Sequence, residues 1–116
     1  MTTDSNKAVV ERYFEMWNTG EVAVADEILA VEYVDYAHPE VKGTSSVNQS
    51  VLRVRTIDPT FHIAIEFLIA EGDLVALRGR VQRTQQGQSI VSHVLWFVRV
   101  RDGKMIELWT GTKSAR

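Results

Sequence analysis

The alternation of apolar and polar residues divides the chain into a helical first half and a strand-rich second half. Over residues 7–18, apolar side chains recur every three or four positions, which predicts an amphipathic helix, and Gly20 follows as a left-handed cap. The same spacing predicts a shorter helix over 21–30 and a third helix over 46–55. A short strand is predicted between these two helices, at 33–36.

The second half follows the two-residue period of antiparallel strands. Residues 61–70 and 74–84 alternate on either side of a Glu71-Gly72-Asp73 turn. Residues 89–112 contain two long apolar runs that flank the turn signal Arg101-Asp102-Gly103-Lys104. The order of elements therefore predicts an α+β domain, with three helices packed on one face of an antiparallel sheet.

The turn of the last hairpin decides which of its side chains share a face. A two-residue turn at Asp102-Gly103 would place Glu107 opposite Val98, with His93 on the other face. A three-residue turn, closed by a bulge at Gly103, would place Glu107 opposite Phe97 and on the same face as His93. We favour the three-residue turn because it gathers the two polar residues on one face.

In that register, the face that holds Glu107 and His93 also carries the aromatic residues Phe97 and Trp109. We expect this face to line the interior, where the two aromatic side chains would contact a bound ligand. The opposite face would then be an apolar outer surface, formed by Val94, Trp96, Val98, Ile106 and Leu108. An exposed apolar surface of this extent predicts a homodimer.

Composition and charge narrow the class of protein. The chain has 116 residues, of which 45% are hydrophobic and 24% charged, so we expect one domain over 1–116, with 1–5 flexible. A formal charge of -2 argues against nucleic-acid and membrane partners. The absence of cysteine excludes thiolate sites, and the spacing of the histidines predicts no metal site. No apolar run approaches the ~20 residues that span a bilayer, so a cytoplasmic location is expected.

Several short motifs resemble those of the SnoaL-like polyketide cyclases, a family within the nuclear transport factor 2-like and ketosteroid isomerase-like superfamily. The resemblance covers residues 6–110, and its motifs are Tyr13-Phe14, Trp17-Asn18-Thr19-Gly20, Tyr33-Val34-Asp35, Gly43, Asp58-Pro59 and the stretches 68–73 and 101–109. It implies a cone-shaped barrel, in which three N-terminal helices and a curved sheet enclose a pocket. It also implies cofactor-independent ring closure by intramolecular aldol condensation.

The resemblance assigns functional roles to particular residues. The family's acid–base residue on the last strand corresponds to Glu107, and the histidine on the preceding strand corresponds to His93. The general base of the ketosteroid isomerases, just after the second helix, corresponds to Asp35. Three further residues are candidates for substrate contact, although each is also compatible with a structural role: Tyr13, Trp17 and Asn48.

The leading hypothesis is therefore a small enzyme that transfers protons, by cyclisation or isomerisation, on an apolar or aromatic carbonyl ligand. No cofactor is expected. One alternative is a non-catalytic domain that binds a small molecule or dimerises. Another is an epoxide hydrolase, which would need two carboxylates around an arginine, for which Asp35, Glu107 and Arg78 are the candidates.

Overall fold

The fold combines three α-helices with a five-stranded sheet, in a computed structural model that describes residues 2–112. A short 3₁₀ helix, Val22–Val24, precedes the second α-helix. The other elements, in chain order, are α1 (Thr3–Thr19), α2 (Ala25–Ile28), β1 (Leu29–Asp35), α3 (Gly43–Ile57), β2 (His62–Glu71), β3 (Leu74–Gln85), β4 (Gln88–Arg101) and β5 (Lys104–Thr112).

The sheet has the strand order β1-β5-β4-β3-β2. β1 runs parallel to β5, and every other neighbouring pair is antiparallel. The helices pack on one face of the sheet, which we call the inner face, and the opposite face is called the outer face. The predicted α+β architecture is thus confirmed. None of the described helices is both long enough and apolar enough to cross a membrane.

Helix α1 begins earlier than its apolar pattern predicts, because a capping box fixes its first turn. The Thr2 hydroxyl accepts a hydrogen bond from the Ser5 N–H at 3.0 Å, and the Ser5 hydroxyl is a partner of the Thr2 N–H. Residues 3–5 therefore belong to the helix, and Met1 lies outside the described residues; the flexibility expected of residues 1–5 stays a prediction. The helix ends as predicted at Gly20, whose φ of 80° permits the left-handed cap.

The segment predicted as the second helix is mostly not α-helical. Only Ala25–Ile28 forms α2, and the chain enters β1 at Leu29. Leu29, Ala30 and Tyr33 are buried in that strand, which pairs with β5. Tertiary pairing has therefore overridden the helical spacing of the apolar residues in this segment.

The last hairpin closes with a two-residue turn, so the predicted three-residue turn is wrong. Asp102 and Gly103 have φ values of 54° and 79°, as in a type I′ turn. A bulge then follows in β5: Val100 pairs with Met105 and Arg99 pairs with Glu107, which leaves the intervening Ile106 without a partner. The bulge shifts the register by one residue. His93, Leu95, Phe97, Glu107 and Trp109 consequently do share one face, as expected.

That shared face is the outer face, so the predicted assignment of inside and outside is reversed. Val94, Trp96, Val98 and Leu108 are at most 6% exposed and belong to the core beneath the helices. Leu95, Phe97 and Trp109 lie on the outer face and are each about half exposed. The surface that we expected a second copy to cover is therefore the interior of the domain.

Candidate active site

A cavity of about 430 Å³ lies between helices α1 and α3 and the inner face of the sheet. Its apolar lining comes from Phe14, Trp17, Val41, Val47, Val54, Phe61, Ile63, Val81, Val94, Trp96 and Leu108. Its polar lining comes from Tyr13, Asp35, His38, Glu40, Ser50, Arg53, Arg83 and Thr110. A volume of this size suits a small organic ligand, which would be held mainly by apolar contacts and oriented by a few polar groups.

A glycine shapes the floor of this cavity. A Cβ atom at Gly79 would lie 2.8 Å from the Ala64 carbonyl oxygen and 3.0 Å from the ring of Trp96. The missing side chain therefore allows the Trp96 ring to lie against β3. On its other side the same ring packs against Phe14, with ring centroids 4.6 Å apart.

The carboxylate of Asp35 is fixed on the cavity wall at the end of β1. Asp35 pairs with Leu108 of β5, and its Oδ1 accepts a hydrogen bond from the N–H of Ala37 at 3.0 Å. The His38 N–H donates to the Asp35 carbonyl oxygen at 3.0 Å, which completes a turn around the residue. Among the described residues, the second carboxylate oxygen has no hydrogen-bond partner, and it can act on a ligand.

Two buried tyrosines lie beside Asp35. The Tyr33 hydroxyl donates to the Tyr13 hydroxyl across 3.4 Å, and Tyr13 lines the cavity. Burial raises the pKa of Tyr13 to about 12, the negative charge of Asp35 acts in the same direction, and hydrogen bonding with Tyr33 and Trp17 opposes the rise. Burial likewise raises the pKa of Tyr33 well above its ordinary value. Both phenols are therefore protonated at neutral pH, and Tyr13 can donate its own proton to a ligand.

The rim of the cavity carries charged residues that the sequence analysis did not select. His38 and Glu40 come from the loop after β1, where the His38 Nδ1 lies 3.8 Å from a Glu40 carboxylate oxygen. Arg53 comes from α3, one turn beyond Ser50, and Arg83 comes from the end of β3. Arg83 could have been found from the sequence, because it continues the inward-facing alternation that includes Val81.

Three of the predicted site residues meet in this cavity: Tyr13, Trp17 and Asp35. The expectation that Glu107 faces the same cavity is not met. On the outer face, its Oε1 accepts a hydrogen bond from Arg99 Nε at 2.8 Å. Arg99 also donates to Asp73 at 2.8 Å, and this contact lowers the pKa of the Asp73 carboxyl. The carboxylate of Glu107 is thus held in an ion-pair network.

The other predicted residues also lie outside the cavity. His93 is on the outer face, with its Nδ1 4.0 Å from Glu66, which pairs with Arg78 at 3.0 Å. Phe97 and Trp109 are exposed there, and Trp109 stacks on Tyr36. Asn48 makes structural contacts instead. With the side-chain amide oriented so that its nitrogen faces two backbone carbonyl groups, it donates to those of Val22 and Thr44 at 3.2 Å.

The geometry bears on one alternative drawn from the sequence, the epoxide hydrolase. The carboxylate–arginine set expected of an epoxide hydrolase does not assemble, because Arg78 and Glu107 lie on the outer face while Asp35 lines the cavity. A shallow depression of about 320 Å³ does border Glu107, but its carboxylate is already paired with Arg99. Among the described residues, no cluster of three or more histidine or acidic side chains could hold a metal ion.

Comparisons with known proteins identify the family. Residues 10–108 match the model of the SnoaL-like domain. A provisionally assigned polyketide cyclase from Bacillus cereus ATCC 10987 superposes with a TM-score of 0.81 at 25% identity, over 92% of this chain and 73% of that one. TsrD from Streptomyces laurentii gives 0.82 at 17% identity, over 97% and 91%.

A SnoaL-like polyketide cyclase from Agrobacterium tumefaciens C58 superposes with a TM-score of 0.79 at 13% identity, over 98% of this chain and 94% of that one. Among curated proteins, none matches this sequence significantly. The match to the family model covers most of the chain, and the cone formed by three helices and a curved sheet is the fold of these solved structures. The protein therefore belongs to the family of SnoaL-like domains, and its fold is that of the nuclear transport factor 2-like proteins.

Proposed function

We propose that the protein is a cofactor-independent acid–base enzyme that removes a proton α to a carbonyl group of an apolar, polyketide-like ligand. Asp35 is the general base, and Tyr13 donates a hydrogen bond to the oxygen on which enolate charge develops. The enolate then attacks a second carbonyl in a cyclisation, or it is reprotonated at another carbon in an isomerisation. The role of general base is thus assigned to Asp35, and no longer to Glu107.

The observation that carries the proposal is that Asp35 and the buried hydroxyl of Tyr13 line one largely apolar cavity. The base has one oxygen anchored by Ala37 and one oxygen available. The donor receives a hydrogen bond from Tyr33, so its own proton can point towards a ligand. A carboxylate and a protonated phenol supply the two functions that enolisation requires, and neither needs to reorganise during the reaction.

The lining of the cavity supports the substrate class. Trp17, Phe61 and Trp96 present aromatic surface to a ligand, and the aliphatic lining residues exclude water from around it. Several structural relatives are named as polyketide cyclases, whose substrates carry repeated carbonyl groups. An aromatic or polycyclic ketone would therefore combine apolar contact with an acidic C–H bond beside the base.

The proposal can be tested with 2-tetralone, an aromatic ketone that is small enough for the cavity. Proton NMR in D₂O would follow the protein-dependent exchange of its α-protons for deuterium. We expect the unmodified protein to accelerate exchange above the buffer rate. Asp35→Asn should reduce the acceleration by about 10²-fold, the usual scale for a lost general base. Tyr13→Phe should reduce it by a similar factor, because a donor to the developing oxyanion is lost.

Glu107→Gln is the matched control, because it also neutralises one carboxylate but does so on the outer face. It should leave the exchange rate within about twofold of the unmodified protein. Exchange that depends on Glu107 and not on Asp35 would refute the assignment of the base. Binding of 2-tetralone without any acceleration would favour a non-catalytic binding domain.

The partner in this proposal is a second copy of the chain, bound through the outer face. Seven large apolar side chains on this face are 37–64% exposed: Phe67, Ile69, Leu74, Val91, Leu95, Phe97 and Trp109. At roughly 100 Å² each, half of what a large side chain can bury, they amount to about 700 Å². That area approaches the ~800 Å² that each partner buries in a standard interface. The residues are not those predicted from the sequence, but the outer face again carries a large set of apolar side chains, here interspersed with the ion pairs of Arg78 and Arg99.

The dimer can be tested by sedimentation at micromolar concentration, where we expect the unmodified protein to sediment as a dimer. Phe97→Glu should convert it to a monomer, because a charge at the centre of an apolar interface would be buried without a partner. Leu52→Glu is the control, since Leu52 is similarly exposed but lies on α3, away from the outer face. A monomeric unmodified protein, or a dimeric Phe97→Glu variant, would exclude this interface.

A further inference from the structure

The arginines of the described chain divide into two groups by their partners. Six of the eight described arginines have an acceptor for the guanidinium: Arg12, Arg55, Arg78, Arg80, Arg99 and Arg101. Among the described residues, Arg53 and Arg83 have neither a salt bridge within 4.0 Å nor a side-chain hydrogen bond. Both of these arginines line the rim of the cavity.

The two arginines reach the rim from opposite walls. Arg53 lies on α3, on the stripe that also presents Ser50 and Val54 to the cavity. Arg83 lies near the end of β3, on the inward-facing parity that buries Val75 and Leu77 earlier in the strand. Both side chains are exposed at the rim and have no carboxylate partner among the described residues, so their N–H donors are available to an anionic group of a ligand.

The neighbouring acidic groups do not neutralise these two guanidinium groups. Glu40 also borders the cavity, but the one contact recorded for its carboxylate within 4.0 Å, among the described residues, is to the His38 Nδ1, at 3.8 Å. Asp35 is oriented by the backbone of Ala37. The cavity therefore combines two guanidinium groups that have no carboxylate partner with the carboxylates of Asp35 and Glu40, whereas most of the other lining residues are apolar.

We propose that the ligand of this cavity is an amphiphilic organic anion, whose carboxylate is bound at the rim by Arg53 and Arg83 while its apolar body occupies the interior. This inference rests on the proposed function in taking the cavity as the ligand site, and it specifies the substrate class further. A guanidinium group presents two parallel donors that match a carboxylate. A singly charged carboxylate suits the rim better than a phosphate dianion, because Asp35 and Glu40 would repel the additional charge.

The experiment compares 2-naphthoate with its neutral analogue 2-naphthamide, which has nearly the same shape. Isothermal titration calorimetry at low ionic strength would measure the dissociation constant of each probe. We expect naphthoate to bind the unmodified protein about tenfold more tightly than naphthamide. Arg53→Gln and Arg83→Gln should each weaken naphthoate binding by about three- to tenfold, and the double variant should abolish the preference. Naphthamide affinity should stay within about twofold in every variant.

Arg12→Gln is the control for the loss of one positive charge, because Arg12 pairs with Glu27 and neither residue lines the cavity. It should leave both affinities unchanged. Equal binding of the two probes to the unmodified protein, or a double variant that keeps the preference, would overturn the inference. Failure of both probes to bind would also count against it.

The same variants separate this inference from the proposed acid–base function. Asp35→Asn should retain or slightly strengthen naphthoate binding, because a negative charge is removed from the cavity. A preference for naphthoate without any exchange of 2-tetralone protons would support the anion site and refute the acid–base function. Exchange that depends on Asp35, without a preference for naphthoate, would refute the anion site alone.

Discussion

Asn18 joins α1 to the edge of the sheet through both atoms of its side-chain amide. Its Nδ2 donates to the Ile63 carbonyl oxygen at 2.8 Å, and its Oδ1 accepts from the Ile63 N–H at 2.7 Å. Because β2 is an edge strand, these backbone groups have no neighbouring strand on that side. The amide of Asn18 therefore makes the two hydrogen bonds to Ile63 that a neighbouring strand would otherwise make, and it holds Ile63 at the cavity wall.

Asn18→Ala would leave both backbone groups of Ile63 without a partner. Ile63 is only 7% exposed, so water could not fully replace the lost hydrogen bonds. At about 1–2 kcal/mol for each unsatisfied group, we expect the free energy of unfolding to fall by about 2–4 kcal/mol. For a domain of this size, that corresponds to a decrease in Tm of roughly 10–20 °C.

Urea denaturation followed by tryptophan fluorescence would measure this change. Asn18→Asp is the discriminating variant, because it keeps the acceptor but sets a carboxylate oxygen against the Ile63 carbonyl oxygen. It should be at least as destabilising as Asn18→Ala at neutral pH, and it should recover stability at acid pH, where the carboxyl group can donate. A loss below about 0.5 kcal/mol in Asn18→Ala, the range of an ordinary surface substitution, would refute the role assigned to the amide.

Two further predictions concern the cavity floor and the buried phenols. Gly79→Ala should lower the free energy of unfolding by about 1–3 kcal/mol in urea denaturation, because its Cβ would overlap the Ala64 carbonyl and the Trp96 ring. An unchanged urea midpoint would contradict this, since β3 would then relieve the overlap by moving away from Ala64 and Trp96. In an ultraviolet titration of phenolate absorbance, Tyr13 and Tyr33 should stay protonated well above pH 10, because burial raises both pKa values above the ordinary 10.0. The unfolded chain releases these protons at a lower pH than the folded chain. The contribution of the two phenols to the free energy of unfolding should therefore be fully present below about pH 10, and it should be lost as the pH rises towards 12. Ionisation of all three tyrosines near pH 10 would contradict this.

The sequence predicted α1, α3, β2 and β3 well, because each has one apolar and one polar face, but the helical spacing over 21–30 was misleading. The stripe that contains Val10, Tyr13 and Phe14 permits only one orientation of α1, and these residues are buried as expected. The prediction failed in β4, where both faces carry large apolar residues. The alternation there cannot distinguish the face that holds Trp96 from the face that holds Phe97.

The candidate site was predicted only in part, for a related reason. Asp35 and Tyr13 were selected through the resemblance to known families, and both line the cavity. Glu107 was placed in the interior by a register argument that considered only the turn. The bulge at Ile106 lies within a strand rather than in the turn, and a bulge that involves no glycine or proline leaves no evident mark in the sequence. Arg53 and Arg83 were not selected because neither belongs to a motif to which the resemblance assigns a role.

The bulge at Ile106 has an evolutionary consequence. Without the bulge, a chain of the same length would follow the regular ladder after the two-residue turn, in which Glu107 lies opposite Val98. The remainder of β5 would then be turned over, so that the carboxylate and the Trp109 indole would enter the cavity while Leu108 left it. Homologues whose hairpins have the same length, one with this bulge and one without it, would therefore present opposite sets of side chains to their ligands, although a sequence alignment would show no gap. For such pairs, the identity of a catalytic residue on the last strand should be transferred only after the bulge has been located in both proteins.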